Sequence, residues 1–235
     1  VAAIAWLALP AASQPKPSEL LAYTADELAQ IVSHGPWPPA ERADASNRVA
    51  ADATAQQWGA SLFFDARLSG NGQLSCASCH QPARAFQDGL PTAVGRLNGQ
   101  RNTPSLLDSA QARWLGWGGS HDSLWAASLT PLLADGEMHQ TLSSLAQRLR
   151  STPELALGYQ ATFGQPPPSD DATLAVDVTK ALAAYQSTLV SARTPFDAFR
   201  DAIARGDNAA AATYPPAAQR GLRLFIAHAR RADAG

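Results

Sequence analysis

The sequence predicts an all-α fold with long loops between its helices. Apolar residues recur at helical spacing in several segments, no segment shows sustained strand alternation, and glycine and proline punctuate the long stretch from Pro82 to Gly119. Helices repeat about every 3.6 residues, whereas strands alternate every second residue. A long irregular stretch within a globular domain typically has a function, and this one is predicted to wrap a ligand.

The amino-terminal part of the chain contains two predicted helices. Thr24 and Glu27 have the spacing of a capping box, so a helix is predicted to begin after Thr24. It breaks at the turn Gly35–Pro39, which is rich in proline. A second helix is predicted over about residues 51–64, shortly before the loop Ser69–Gly72.

Further helices are predicted after residue 140. Leu142, Leu145 and Leu149 mark one of them, and another is predicted from Ala217 to Ala229. Residues 165–168 read Gln-Pro-Pro-Pro and form the best candidate for a domain boundary. The clearest amphipathic helix follows this boundary, and its apolar positions are Leu174, Val178, Leu182, Tyr185 and Leu189.

The most informative segment runs from Cys76 to His80 and reads Cys-Ala-Ser-Cys-His. This C-x-x-C-H pattern is the attachment signal of a c-type haem. Two thiols one helical turn apart form thioethers with the porphyrin vinyl groups, and the adjacent imidazole ligates the iron. The alternatives are a thiol–disulfide pair or half of a zinc site, and zinc needs further ligands in a chain with no other cysteine. We therefore predict one covalent haem c held by Cys76 and Cys79, with His80 as its metal ligand.

The net charge indicates which partners the protein has, and the amino-terminal sequence indicates its location in the cell. The net charge of −2 gives no indication of a nucleic-acid partner, and no apolar run is long enough to cross a membrane. Residues 1–13 are apolar and run into small residues, which predicts the remnant of a secretory signal peptide; a buried first helix is the alternative. Because bacterial thioether formation takes place outside the cytoplasmic membrane, the haem motif also favours a periplasmic location.

Several short motifs, in a fixed order, resemble the bacterial dihaem cytochrome c peroxidase family, which includes the MauG-type proteins. The resemblance covers roughly residues 20–230. The matching segments are Leu62–Ser69, Cys76–Pro82, Phe86–Gly89, Arg101–Leu107, Trp117–Gly119, Asp122–Leu124, Glu137–Met138, Ala181–Tyr185, Thr188–Val190, Pro195–Asp197 and Gly221–Phe225.

The resemblance implies a domain organisation. Residues 20–164 are expected to form a cytochrome c-like haem domain, whose haem is the peroxide-side haem with His80 as proximal ligand. Residues 165–235 are expected to begin a truncated second helical domain, because the sequence shows no second C-x-x-C-H motif. A true single-haem protein is the alternative to truncation.

The distal pocket departs from the family pattern. Aligned on Trp117 and Leu124, the positions of the family's distal glutamine and glutamate are occupied by Leu115 and Trp125. Cleavage of the peroxide O–O bond needs a group that moves a proton, which neither side chain does. His121 is therefore predicted as a substitute distal base; a locally hydrogen-bonded loop histidine is the alternative.

The function implied is a periplasmic c-type haem peroxidase. It would reduce hydrogen peroxide with electrons from a small redox protein, either a cytochrome c or a copper protein. The alternatives are MauG-type oxidation of a protein substrate, a non-enzymatic electron carrier, and an inactive fragment of a dihaem peroxidase. The resemblance also implies calcium, which is assigned to no residue of this chain.

Overall fold

The computed structural model describes residues 19–40, 42 and 44–232, with side chains as far as residue 227. The predicted signal remnant, residues 1–13, lies outside the described residues. The prediction of an all-α fold is confirmed, since the described part of the chain contains helices, short 3-10 turns and isolated β-bridges, and no strand. Its helices are α1 (Ala25–Ser33), α2 (Ala53–Phe63), α3 (Cys76–Cys79), α4 (Leu124–Leu133), α5 (Leu142–Ser151), α6 (Pro153–Phe163), α7 (Asp171–Gln186), α8 (Pro195–Ala204), α9 (Asn208–Ala211) and α10 (Pro216–Ala232).

Local sequence signals explain where the helices begin and end. The predicted capping box of α1 is confirmed: the Thr24 hydroxyl accepts from the Glu27 amide at 3.2 Å, and the Glu27 carboxylate accepts from the Thr24 amide at 2.7 Å. Helix α6 begins with Pro153 and ends before Gly164, which has a positive φ of 74°. Proline at the first position and glycine after the last are the usual helix boundaries. The sequence analysis did not predict α6, although these two residues mark it.

The described part of the chain divides into two compact units, one within residues 19–40 and 192–232 and the other within residues 42–191. This division differs from the ranges predicted from the sequence, which place residues 165–191 in the second domain. Helix α7 follows the Pro-rich segment and supplies Leu174, Val178 and Leu182 to the core of the larger unit. The apolar stripe that predicts α7 is therefore buried within that unit.

The core of the larger unit forms where α2 and α7 cross. Leu62 and Phe63 of α2 are buried there against α7. The crossing is close because Gly59 has no side chain: a Cβ atom at this position would lie 2.0 Å from the carbonyl oxygen of Ala181. A glycine at a helix crossing permits this approach of two backbones. The crossing fixes the carboxyl end of α7, which contributes to the site described below.

The smaller unit has its own apolar cluster, formed by α1, α8, α9 and α10. Ile31, Phe199 and Ile226 are buried in it, and the rings of Phe199 and Tyr214 stack with their centroids 4.7 Å apart. Helix α10 leaves Leu224 and Phe225 exposed. Among the described residues, no helix is both long and apolar enough to cross a membrane.

Candidate haem site

The cysteines and the histidine of the motif occupy one short helix and its end. Cys76 begins α3, Cys79 ends it, and the backbone amide of His80 donates to the carbonyl oxygen of Cys76 at 2.9 Å. Residues three apart on a helix share a face. Both cysteines are free, and Cys76, Cys79 and His80 line the same cavity.

This cavity has a volume of about 610 Å³. Such a volume lies within the range of ~300–1,000 Å³ typical of ligand and cofactor sites. Most of its wall is apolar, with Phe63, Leu106, Leu124 and Leu182 among the lining residues. The predicted ligand-wrapping stretch from Pro82 to Gly119 contributes a large part of the wall, including the run from Pro104 to Ser109.

Hydrogen bonding orients the His80 imidazole. Its Nδ1 lies 2.9 Å from the carbonyl oxygen of Phe86. A carbonyl oxygen only accepts, so Nδ1 carries the proton and Nε2 is the nitrogen left to bind a metal. Burial lowers the pKa of His80, while the carbonyl groups of Phe86 and Pro104 act in the opposite direction. A neutral imidazole with a fixed tautomer is the form that binds iron.

A buried carboxylate supports the loop that carries the Phe86 carbonyl. Asp88 Oδ1 accepts from the Leu90 amide at 2.9 Å, and Asp88 Oδ2 accepts from the Thr103 hydroxyl at 2.7 Å. These bonds, first the one from Leu90, lower the pKa of Asp88. Asp88 therefore ties the His80 loop to the segment at Thr103.

Replacing Thr103 with valine is expected to destabilise the protein by about 1–3 kcal/mol, because a buried carboxylate oxygen loses its donor. A depressed pKa contributes stability at neutral pH that is lost as the pH falls through it. The T103V variant raises the pKa of Asp88 toward its usual range, so its acid unfolding is expected at higher pH. Circular dichroism during an acid titration measures this shift. The control T162V removes a hydroxyl that bonds only the Gly158 carbonyl, and an equal shift in both variants would contradict the role of Asp88.

The two thiols are held in the protonated form. Burial raises the pKa of Cys76 to about 12. Burial also raises the pKa of Cys79, and the negative charges of Asp88 and Glu137 add to this effect. A protonated thiol is a poor nucleophile and a poor metal ligand. Among the described residues, no group of three or more His, Cys, Asp or Glu side chains is placed to hold a metal ion.

Of the three residues considered for the distal pocket, two line the cavity and one does not. His121 lines the cavity, and its Nε2 lies 3.0 Å from the hydroxyl oxygen of Thr130. Leu115 also lines the cavity and pairs with His121 in an antiparallel bridge. Trp125 is not among the lining residues; its Nε1 donates to the Ser46 hydroxyl at 2.8 Å.

Two exposed tryptophans lie at the cavity. Trp114 and Trp117 line it, and they are 59% and 54% exposed. The indole of Trp117 donates to the Asn102 carbonyl at 3.0 Å. Exposed indoles beside a cavity are available for contact with a bound group or a partner.

Two functional candidates were missed by the sequence analysis. Glu137 lines the cavity; the residue as a whole is exposed, but local desolvation of its carboxyl group at the cavity raises its pKa. A carboxylic acid with a raised pKa in a cavity is a frequent sign of proton chemistry. Gln186 contributes an amide to the wall from the end of α7. The sequence signal for Glu137 was its place, with Met138, among the segments that resemble the family. Met138 is 6% exposed and lines the same cavity.

The residues present fit a covalently attached haem. The site combines two free thiols on one helical turn, an imidazole with a fixed tautomer, and an apolar cavity of cofactor size. The fold and the cavity thus define an all-α protein of the cytochrome c class.

Comparison with known proteins identifies the family within this class. Residues 53–205 match the model of the di-haem cytochrome c peroxidase family. The chain is 39% identical over 173 residues to the methylamine utilization protein MauG of Methylorubrum extorquens, covering 73% of this chain and 46% of that protein. It is 31% identical over 176 residues to the cytochrome c551 peroxidase of Pseudomonas aeruginosa, covering 73% and 47%. The chain belongs to the di-haem cytochrome c peroxidase family, which implies covalently bound haem c.

Solved structures agree with this assignment. A crystal structure of a MauG-like protein associated with microbial copper homeostasis aligns with a TM-score of 0.61 and 28% identity, covering 74% of this chain and 49% of that one. The diheme peroxidase BthA of Burkholderia thailandensis aligns with a TM-score of 0.57 and 25% identity, covering 70% and 44%. The chain spans about half the length of the curated relatives it matches.

Proposed function

We propose that this chain is the peroxide-reacting haem domain of a periplasmic peroxidase. The observation that carries the proposal is the cavity, in which the C-x-x-C-H cysteines and histidine share a wall with the acid Glu137 and with His121. Family membership supports peroxidase-type oxidoreductase chemistry. The export signal predicted at residues 1–13 supports the periplasmic location.

The residues of the site have two roles: some hold the cofactor, and others transfer protons. Cys76 and Cys79 would anchor haem c, and His80 would ligate its iron through Nε2. When bound, haem c supplies the redox centre at which peroxide accepts electrons. Glu137 would take a proton from one peroxide oxygen and deliver it to the other, because its raised pKa suits both steps.

His121, the base predicted from the sequence, remains a candidate for the same proton transfer between the peroxide oxygens. Its position in the wall supports this role, whereas its Nε2 is already engaged with the Thr130 hydroxyl. We therefore assign the main proton transfer to Glu137 and a secondary one to His121. Comparison of single variants of the two residues, described in the Discussion, decides between them.

The reductant is proposed to be a small periplasmic redox protein, either a cytochrome c or a copper protein. Reduction of one hydrogen peroxide to two waters consumes two electrons and two protons, so the donor must deliver electrons in sequence. The exposed indoles of Trp114 and Trp117 at the cavity support entry of electrons at this side. Calcium, which the resemblance implies, is assigned to no residue of this chain.

The haem-loaded chain is expected to oxidise a reduced small cytochrome when hydrogen peroxide is added. Loss of absorbance of the reduced cytochrome measures the turnover, and the same mixture without peroxide is the control. Turnover supports the proposal. Its absence from a chain shown to contain haem would contradict the proposal for this chain and favour an inactive part of a larger enzyme.

A second candidate function, an electron carrier, is favoured by Met138. Its thioether lies in a buried part of the cavity wall, and Met138 is the only methionine of the chain. Ligation of the iron by methionine and histidine is typical of electron-carrying cytochromes. A low-spin ferric spectrum that changes in the variant M138L would support this function, whereas a high-spin spectrum favours peroxide chemistry.

A further inference from the structure

The carboxyl end of α7 places a buried amide in the wall of the cavity. Gln186 is the last residue of α7 and is 8% exposed. Its neighbours in the wall, Leu182 on α7 and Leu124 and Ala127 on α4, are apolar. A polar side chain buried in such a wall is costly unless hydrogen bonds satisfy it.

The neighbouring Ser128 determines how this amide is turned. The Ser128 hydroxyl donates to the carbonyl oxygen of Leu124 at 2.7 Å, so its own oxygen is left to accept. Gln186 Nε2 lies 2.8 Å from that oxygen and must be the donor. The network therefore fixes the orientation of the amide. The bond to Ser128 is the one side-chain hydrogen bond of Gln186 among the described residues, so a second N–H and the Oε1 atom stay open. Oε1 is not one of the fully buried polar atoms that lack a partner, which leaves it accessible at the cavity wall.

We propose that Gln186 binds hydrogen peroxide in the cavity, with its free N–H donating to one peroxide oxygen and its Oε1 accepting from a peroxide hydroxyl. The inference rests on the proposed function and deepens it. Hydrogen peroxide carries both donors and acceptors on two adjacent atoms, so a single molecule satisfies both free groups of the amide. An apolar molecule of the same size would leave both groups unsatisfied, which disfavours its binding.

The role of Gln186 differs from that of Glu137. A neutral amide neither takes up nor releases a proton near neutral pH, so Gln186 binds and positions the peroxide while another group moves the proton. The Ser128 hydroxyl acts through Gln186 by holding the amide in one orientation. Positioning of this kind lowers the entropy cost of the reaction.

The test compares two buried amides of the same unit in the haem-loaded chain. The variant Q186L removes both hydrogen-bonding groups and, unlike methionine, adds no thioether that could ligate the iron. The control Q140L makes the same change at Gln140, which is 5% exposed, has an unpartnered Nε2 and does not line the cavity. The probe is fluoride, a small hydrogen-bond acceptor that binds ferric haem, titrated by absorbance.

Loss of the Gln186 bond is expected to weaken fluoride binding by about tenfold in Q186L, with little change in Q140L. In the enzyme assay, KM for hydrogen peroxide is expected to rise in Q186L more than kcat falls. Equal fluoride affinities in Q186L and the parent chain, or failure of all three proteins to bind fluoride, would overturn the assignment. Absence of peroxide turnover in the parent chain would contradict the proposed function instead, and the fluoride comparison would still decide the position of the amide.

Discussion

A chain in which alanine replaces both Cys76 and Cys79 is expected to carry no haem after denaturation. The thiols are free and line the cavity, and covalent attachment needs their sulfur atoms. A haem stain on a denaturing gel measures the loss, which we expect to be complete. Each single variant keeps one thioether and one unreacted vinyl group, so the absorbance of its reduced pyridine complex is expected at longer wavelength than that of the parent.

The matched control for the cysteine variants is S78A, a change of similar size within the same turn of helix. Its hydroxyl accepts from the Ser75 amide at 3.0 Å and makes no bond that haem attachment needs. S78A is expected to stain like the parent chain. Undiminished staining of the double cysteine variant would show that attachment does not use these thiols, and the site would have to be reassigned.

The variant E137Q is expected to slow the reaction with hydrogen peroxide by about 10²–10⁴-fold, the usual contribution of a general acid–base group. Glutamine keeps the shape of the side chain and removes the proton acceptor. Local desolvation raises the pKa of Glu137, and the ionised form is the base. The rate of the parent chain should therefore fall as the pH decreases through this raised pKa, while the rate of E137Q stays level. Stopped-flow absorbance at a series of pH values measures both.

Two comparison variants make the result specific. D135N changes an exposed carboxylate two residues away, which contacts His139 at 3.0 Å, and its rate is expected to match the parent. H121A is expected to lose less than E137Q, because His121 is engaged with Thr130. The reverse order, a large loss in H121A with a parent-like E137Q, would assign the base to His121, as the sequence predicts.

The part of the site that the sequence could predict is the part that is contiguous in the chain. Cys76, Cys79 and His80 act together because one helical turn and the next residue bring them to the same cavity. Helix α7 could be predicted equally well, since its apolar positions repeat at helical spacing and are buried. In both cases the helical spacing that forms the sequence pattern also brings the side chains to one cavity or one core.

The missed residues lack such a pattern. Glu137 lies in the loop after α4, where no periodicity indicates which side chain enters the cavity, and spacing from Trp117 led instead to Trp125, whose indole bonds Ser46. Helix α7 also carries Asp177, Thr179 and Lys180, so a polar residue at Gln186 resembles any solvent-facing position in the sequence. Only the approach of α4 to α7, through the bond to Ser128, shows that its amide is buried.

The residues that line the cavity come from distant parts of the sequence, and this limits how far the chain can be shortened. Most lining residues come from the continuous stretch between Leu74 and Met138, but Phe63 belongs to α2, and Leu182 and Gln186 belong to α7. A peptide excised around α3 would keep both sulfur atoms and the imidazole. It would lack the part of the cavity wall that α2 and α7 supply. The smallest unit for transplanting this site into another scaffold therefore begins with α2 and ends beyond Gln186, with the Gly59 crossing included.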